Sequence, residues 1–196
     1  LMMNASQFTE ALAFAKQHAL LTPGSEESED LNVNALLESG REGEAFEYLL
    51  GCMKRGHLLK RYTDLFELAC SLNRMDDLPV LRPVLESKKI SSATYLMDAY
   101  ASMRKKDVKG GLALIGRAER SGLCTDDALL FSARFLLLSG LPKRVIGICE
   151  KMDKTCIPDE MIYPLLIRAC RDLGKEDDAR VAEEDFRLRV SGRTRG

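Results

Sequence analysis

The sequence has no tryptophan, and aromatic residues fill only 6% of its 196 positions. A platform of rings on which successive bases of a single strand could stack is therefore poorly supplied. Histidine occurs twice, at His18 and His57, and no Ser or Cys stands near either in a nucleophile-and-base arrangement. A phosphate-cradling loop is missing too, because Gly110-Gly111 runs on into Leu-Ala-Leu rather than Lys-Ser or Lys-Thr. These gaps argue against an enzyme, and no cofactor, metal or small-molecule substrate is expected. No apolar run approaches the roughly 20 residues of a membrane span, so no membrane partner is expected either. The net charge of -1 gives no global attraction to nucleic acid.

The six cysteines, Cys52, Cys70, Cys124, Cys149, Cys156 and Cys170, form no C-x-x-C pair. They read as reduced thiols packed like small core residues, which suits the cytosol or an organelle matrix. A zinc site on Cys52 and His57 would lack two ligands that no local spacing supplies.

Charge is unevenly placed. Residues 1–50 hold nine acids against two bases, and the acidic excess peaks at "SEESED", Ser25 to Asp30. Basic residues gather in "KRGHLLKR" (Lys54, Arg55, His57, Lys60, Arg61), in "MRKKDVK" (Arg104, Lys105, Lys106, Lys109) and in the C-terminal "RLRVSGRTRG", which includes Arg187 and Arg189. The segment "LTPGSEESED" reads as a loop with Pro23, Gly24 and a solvated acidic run. The carboxylate-rich "EKMDKTCIPDE" and "GKEDDARVAEED" read as solvated helix faces and caps.

What the chain does have is internal repetition. Taking Gly174 and Ala179 as markers of a turn and the start of a second helix, steps of 33–34 residues lead back to Gly140 and Val145, Lys106 and Gly111, Asn73 and Leu78, and Gly40 and Ala45. A last step reaches Ala11 in "SQFTEALAFAKQHAL", which reads as a second helix. Tyr62, Tyr95, Leu129 and Tyr163 recur ahead of the turn markers in the same register. Each unit reads as two helices whose apolar faces need neighbours, and no stretch alternates long enough to make a strand. The expected fold is all-α, an α-α superhelix of about five to six helix-turn-helix repeats of 33–34 residues within one domain. The units run approximately 1–24, 25–58, 59–91, 92–125, 126–159 and 160–196. Small residues at Ala45, Gly111 and Ala179 fit close helix crossings. In "DDLPVLRPVL", Pro79 fits a first helical turn, and Pro83 is expected to kink the helix or delay its start.

The stretch "PDEMIYPLLIRACRDLGKEDDA", with "KTCIPDE" before it and "RSGLCTDD" one unit earlier, resembles the pentatricopeptide repeat family. The likeness extends over essentially the whole chain and is close to consensus in the last two units. The tetratricopeptide repeat is the competing match. It shares the period, but expects a small residue where this chain has Phe66, Ala99, Ala133 and Ile167.

The pentatricopeptide resemblance implies an organellar RNA-handling protein, mitochondrial or else plastid, reading one base per repeat through two side chains. On this chain those pairs would be Thr63 with Ser91, Leu96 (or Thr94 in a shifted alignment) with Thr125, Leu130 with Asp159, and an unpartnered Pro164. Leucine and proline cannot match the donors and acceptors of a base edge. Phosphate contact needs only cations, and Lys54, Arg55, Lys60, Arg61, Arg104, Lys105, Lys106, Arg187 and Arg189 are the candidates. The expected role is thus a subunit of an organellar ribonucleoprotein that touches RNA backbone and neighbouring proteins. A stand-alone sequence-specific RNA-binding factor and a tetratricopeptide-like protein adaptor are the alternatives.

Overall fold

The computed structural model describes residues 25–153 and 155–193, together with the single helical positions Ala13 and Gln17. The rest of the expected helix "SQFTEALAFAKQHAL", and Pro23 and Gly24, lie outside the described residues. Everything described is helix or turn, with no strand among the described residues.

Over residues 25–193, ten α-helices are described: α1 (Glu26–Glu38), α2 (Glu42–Lys54), α3 (Tyr62–Ser71), α4 (Arg82–Ser87), α5 (Ser91–Arg104), α6 (Val108–Arg120), α7 (Thr125–Leu138), α8 (Pro142–Met152), α9 (Asp159–Asp172) and α10 (Glu176–Arg193). Short 3-10 helices occupy Leu59–Arg61 and Met75–Leu81. The chain divides into two compact units, Leu1–Ile90 and Ser91–Gly196.

The helices end in one recurring way. Gly40, Asn73, Lys106, Gly140 and Gly174 close α1, α3, α5, α7 and α9 at positive φ, between 55° and 71°. They are the turn markers of the 33–34-residue repeat. Gly56, Lys89 and Gly122 close α2, α4 and α6 in the same way. In each case the left-handed residue and the next one donate backbone N–H groups back into the last helical turn. At α9, Gly174 N–H reaches Arg171 O at 2.8 Å and Lys175 N–H reaches Cys170 O at 3.0 Å. This pattern satisfies carbonyls that would otherwise be orphaned. Lysine at 89 and 106 accepts a conformation that costs an L-residue about 1–2 kcal/mol.

The residue after the closure differs between the two helices of a hairpin. After four of the five first helices it carries a local side-chain bond: Arg41 to Glu44 at 2.5 Å, Arg74 to Asp77 at 2.6 Å, Asp107 accepting from Gly110 N–H at 2.8 Å, and Lys175 to Asp178 at 2.8 Å; after α7 it is Leu141, with no such bond. Each of these ties the turn to the first turn of the second helix. At the ends of second helices the chain instead inserts apolar groups, with Leu123 and Ile157 both buried.

In the first unit α1 packs on α2, and α2 packs on α3 and on the 3-10 helix Met75–Leu81. Val33, Leu36, Ala45, Phe46, Leu49, Phe66, Leu78 and Leu85 are buried there. Pro79 falls inside the 3-10 helix and Pro83 in the first turn of α4, so the start of α4 is delayed to Arg82. Pro79 removes an N–H donor that a continuing α-helix would need, whereas Pro83 sits in the first turn of α4, where the N–H has no intrahelical partner to lose.

In the second unit each helix from α5 to α10 packs on the next, and α5 also touches α7 as α7 touches α9. Leu130, Ala133, Val145, Cys149, Met152, Ile162 and Ala169 share its core. Gly111 on α6 is a point of close packing against the next helix. A Cβ there would overlap the Phe135 ring and lie 2.6 Å from the Ser102 hydroxyl.

The acidic run is the clear departure from expectation. Glu26 to Asp30 is not a loop but the beginning of α1. Three acids in a first turn suit the positive end of a helix dipole, and basic partners from the end of α2 offset the charge that made the run look solvated.

Gly111→Ala should destabilise the second unit by about 1–3 kcal/mol through overpacking, despite alanine's better helix propensity. In denaturant unfolding, Phe135→Leu should cost less in the Gly111→Ala background than alone, because the smaller side chain vacates the space the new methyl needs.

Candidate nucleic-acid interface

The first basic cluster forms the turn that ends α2. There the acidic start of α1 meets it residue by residue. Glu26 accepts the Leu58 backbone N–H at 3.1 Å. Glu29 accepts from Arg55 at 2.8 Å and lies 2.9 Å from His57 Nδ1. Arg61 donates to Asp30 and Asn34, both at 2.8 Å, and to Asp64 at 2.6 Å. Leu58 itself stands at φ 50°, so the Glu26 carboxylate braces a strained point of the turn.

Glu29 is buried. Burial alone would raise its carboxyl, but hydrogen bonds and charge from Arg55 and His57 outweigh that and hold the pKa below the ordinary value. Arg55 and Arg61 are correspondingly held more firmly protonated, Arg55 chiefly by Glu29, and Arg61 by Asp64 and Asp30 against the opposing effect of burial. Both guanidiniums are committed to carboxylates of this chain, Arg61 largely shielded from solvent and Arg55 with 56% of its side chain exposed.

The lysines are not. Lys54 and Lys60 are exposed and make no ion pair among the described residues. Lys88 and Lys89, in the turn after α4, are exposed in the same way. The two turns are neighbours, since a Cβ on Gly56 would sit 3.8 Å from Lys88 Cε. The first unit therefore carries three free ammonium groups, Lys54, Lys88 and Lys89, at the neighbouring C-terminal ends of α2 and α4, where the helix dipole favours cations, and a fourth, Lys60, in the 3-10 helix Leu59–Arg61. Sequence reasoning missed Lys88 and Lys89 because "ESKKIS" is an unremarkable pair until folding brings it beside Gly56.

In the second unit Lys105 and Lys106 are exposed at the turn after α5, and Lys109 follows in α6. The Arg104 side chain lies outside those described. This cluster closes a first helix and the other closes a second, so the two are not equivalent points of the repeat. Arg187 is exposed on α10.

Arg189 is occupied. It pairs with Asp153 at 2.9 Å, Asp185 at 3.3 Å and Asp159 at 3.5 Å, and its guanidinium lies over the Tyr163 ring at 5.4 Å. Tyr163 also donates to Asp185 and stacks on Phe186 with centroids 5.3 Å apart. Burial, then that hydrogen bond, pushes the Tyr163 phenol up to about 12.

The base-reading positions fare as follows. Thr63 is half-buried in the first unit, while its expected partner Ser91 is exposed at the start of the second. Leu96 and Leu130 are buried core residues. Thr94 spends its hydroxyl proton on Ser91 O at 2.8 Å. Thr125 is exposed, and Pro164 is exposed in mid-α9. Asp159 is buried against Arg189, so this part of the carboxylate-rich run is no solvated face. Within the second unit no two hydrogen-bonding readers stand free together.

The thiols split into classes. Cys52, Cys149 and Cys170 are buried, Cys70 is half-buried, and Cys124 and Cys156 are exposed in turns. The expectation of six core thiols is thus corrected at 124 and 156, where the chain leaves a second helix and cannot bury every residue. Burial, and then the Glu29 charge, pushes Cys52 up to about 11, and burial pushes Cys149 up to about 12. Neither is a thiolate near neutral pH. Among the described residues no three His, Cys, Asp or Glu gather in a way that could hold a metal, and no helix is long and apolar enough to cross a membrane. No protein-family model matches the chain, and no curated protein matches it in sequence.

Glu29→Gln should cost about 1–3 kcal/mol at neutral pH, the scale of hydrogen bonds to charged groups. Because the folded carboxyl titrates below its unfolded value of about 4.3, the wild-type advantage is complete above that value. It is lost as pH falls through the lower, folded pKa. Urea unfolding of both proteins at neutral and strongly acidic pH should show the difference shrinking with acid. Maleimide labelling followed by peptide mass spectrometry should modify Cys124 and Cys156 first, and Cys52 and Cys149 only on unfolding.

Proposed function

We propose that this chain is a non-enzymatic, pentatricopeptide-like helical-repeat protein whose hairpins stack into an α-α superhelix. Its role is to contact RNA backbone and neighbouring proteins within a mitochondrial ribonucleoprotein assembly. The observation that carries the RNA reading is the division of labour between arginine and lysine in the first unit. Arg55 and Arg61 are paired with Glu29, Asp30 and Asp64, while Lys54, Lys60, Lys88 and Lys89 are exposed and unpaired among the described residues, three of them at the neighbouring ends of α2 and α4.

Lysine suits this use. It is a flexible point charge that finds a phosphate without demanding a fixed geometry, whereas base recognition needs positioned donors and acceptors. The burial of Leu96, Leu130 and Asp159 at would-be reader positions supports contact without sequence reading. Mitochondrial residence rests on the resemblance of the last two repeats to the pentatricopeptide pattern.

Fluorescence anisotropy with short mixed-sequence single-stranded RNAs tests this. Affinity should fall steeply with salt and be alike for unrelated sequences. Lys54→Glu, Lys88→Glu and Lys89→Glu combined should weaken binding about tenfold or more at low salt. The charge reversals should also flatten the salt slope by about 0.7 for each phosphate that the variant no longer neutralises. Absence of binding at low salt would overturn the RNA reading, and selective binding to one sequence would overturn backbone-only contact.

A further inference from the structure

The helix α10 packs one face on α9 and turns the other to solvent. Ala179 and Ala182 are buried and Phe186 stacks on Tyr163, positions that share a face by their three- and four-residue spacing. The opposite stripe holds Asp177, Arg180, Val181, Glu184, Arg187 and Leu188, all exposed. Val181 and Leu188 are each 67% exposed, more than any other large apolar side chain among the described residues. They lie two helical turns apart and therefore on one line.

A further hairpin in the same register would not cover this stripe. Going back one and two repeats from Val181 gives Gly147 on α8 and Ala113 on α6, and Arg120 is the counterpart of Leu188 on α6. All three are exposed although another hairpin follows each. The counterparts of Leu188 in the first unit are Lys54 and Ser87, so leucine at this position departs from a polar pattern. Something other than a following repeat is needed to dry it.

The charges on the stripe indicate what. Glu184 and Arg187 lie between Val181 and Leu188, and neither makes an ion pair among the described residues. Asp177 and Arg180, by contrast, pair with each other. We propose that this face binds a second copy of itself, α10 against α10 in antiparallel orientation about a two-fold axis near residues 184 and 185. That orientation sets Val181 beside Leu188 of the second copy and brings Glu184 within diagonal reach of Arg187 of the second copy. Two-fold symmetry repeats both contacts. A parallel orientation would instead set Glu184 on Glu184 and Arg187 on Arg187, which repel.

Sedimentation velocity of the whole chain from low micromolar to near-millimolar concentration tests this. A reversible monomer–dimer equilibrium is expected. Leu188→Lys should weaken it about tenfold or more, with helicity and unfolding midpoint unchanged, because the side chain is exposed in the monomer. Glu184→Arg and Arg187→Glu should each weaken the dimer, and the double variant Glu184→Arg/Arg187→Glu should restore it, since the swap regenerates both cross-pairs. A wild-type chain that stays monomeric throughout would overturn the proposal. So would a dimer indifferent to Leu188→Lys, or a double variant no better than the singles.

Discussion

Every hairpin among the described residues depends on a backbone reversal in which one residue at positive φ lets two N–H groups fold back onto the last turn of a helix. The first helices are closed by Gly40, Asn73, Lys106, Gly140 and Gly174, and second helices by Gly56, Lys89 and Gly122. The reversal satisfies the helix end at once, so no long connection is needed to do it. Short connections oblige consecutive helices to lie side by side, and the apolar faces then meet. Where the closing residue is lysine rather than glycine, the local cost must be met by packing around it. Ile90 N–H bonds Leu85 O at 2.9 Å beyond Lys89, and Asp107 N–H bonds Ser102 O at 3.1 Å beyond Lys106.

Electrostatics is organised on top of this frame by a sorting of side chains. Arginines bridge elements, as with Arg55 and Arg61 to α1, Arg74 to Glu47, and Arg189 to Asp153 and Asp159. Their planar, multi-donor groups can satisfy several acceptors at fixed positions. Lys54, Lys88, Lys89, Lys105 and Lys106 at helix ends stay in water, where entropy favours leaving a flexible stem unpaired, although Lys175 pairs with Asp178. The acidic start of α1 thus serves the first unit itself, and the lysines of the basic segment it meets are the cations left without an ion pair among the described residues.

The periodic features were legible because they are local. The markers at Gly40, Gly140 and Gly174 and the alternation of apolar and polar residues report backbone geometry and helix faces directly. Even Asn73 and Lys106 were found by their spacing alone. What escaped was non-local. "SEESED" looks like a solvated loop until Arg55, His57 and Arg61 arrive from the far end of the same hairpin to pair with it. Asp159 looks like a surface cap or a base reader until Arg189 folds across it. Cys124 and Cys156 look like core thiols by residue type, but both are exposed, while the adjacent Leu123 and Ile157 take the buried places in those turns.

The amino-acid order alone thus determined an all-helical, repeat-like chain, because helical periodicity and left-handed closures are properties of neighbouring residues. Tertiary structure decided which charges remain available. An ion pair removes a cation from the surface only if its partner is brought within hydrogen-bond distance, and for Glu29 with Arg55 that partner is 26 positions away. It also decided which apolar residues are kept from water. Ala182 and Val181 are neighbours in sequence, yet the direction of α10 buries the first and leaves the second in solvent.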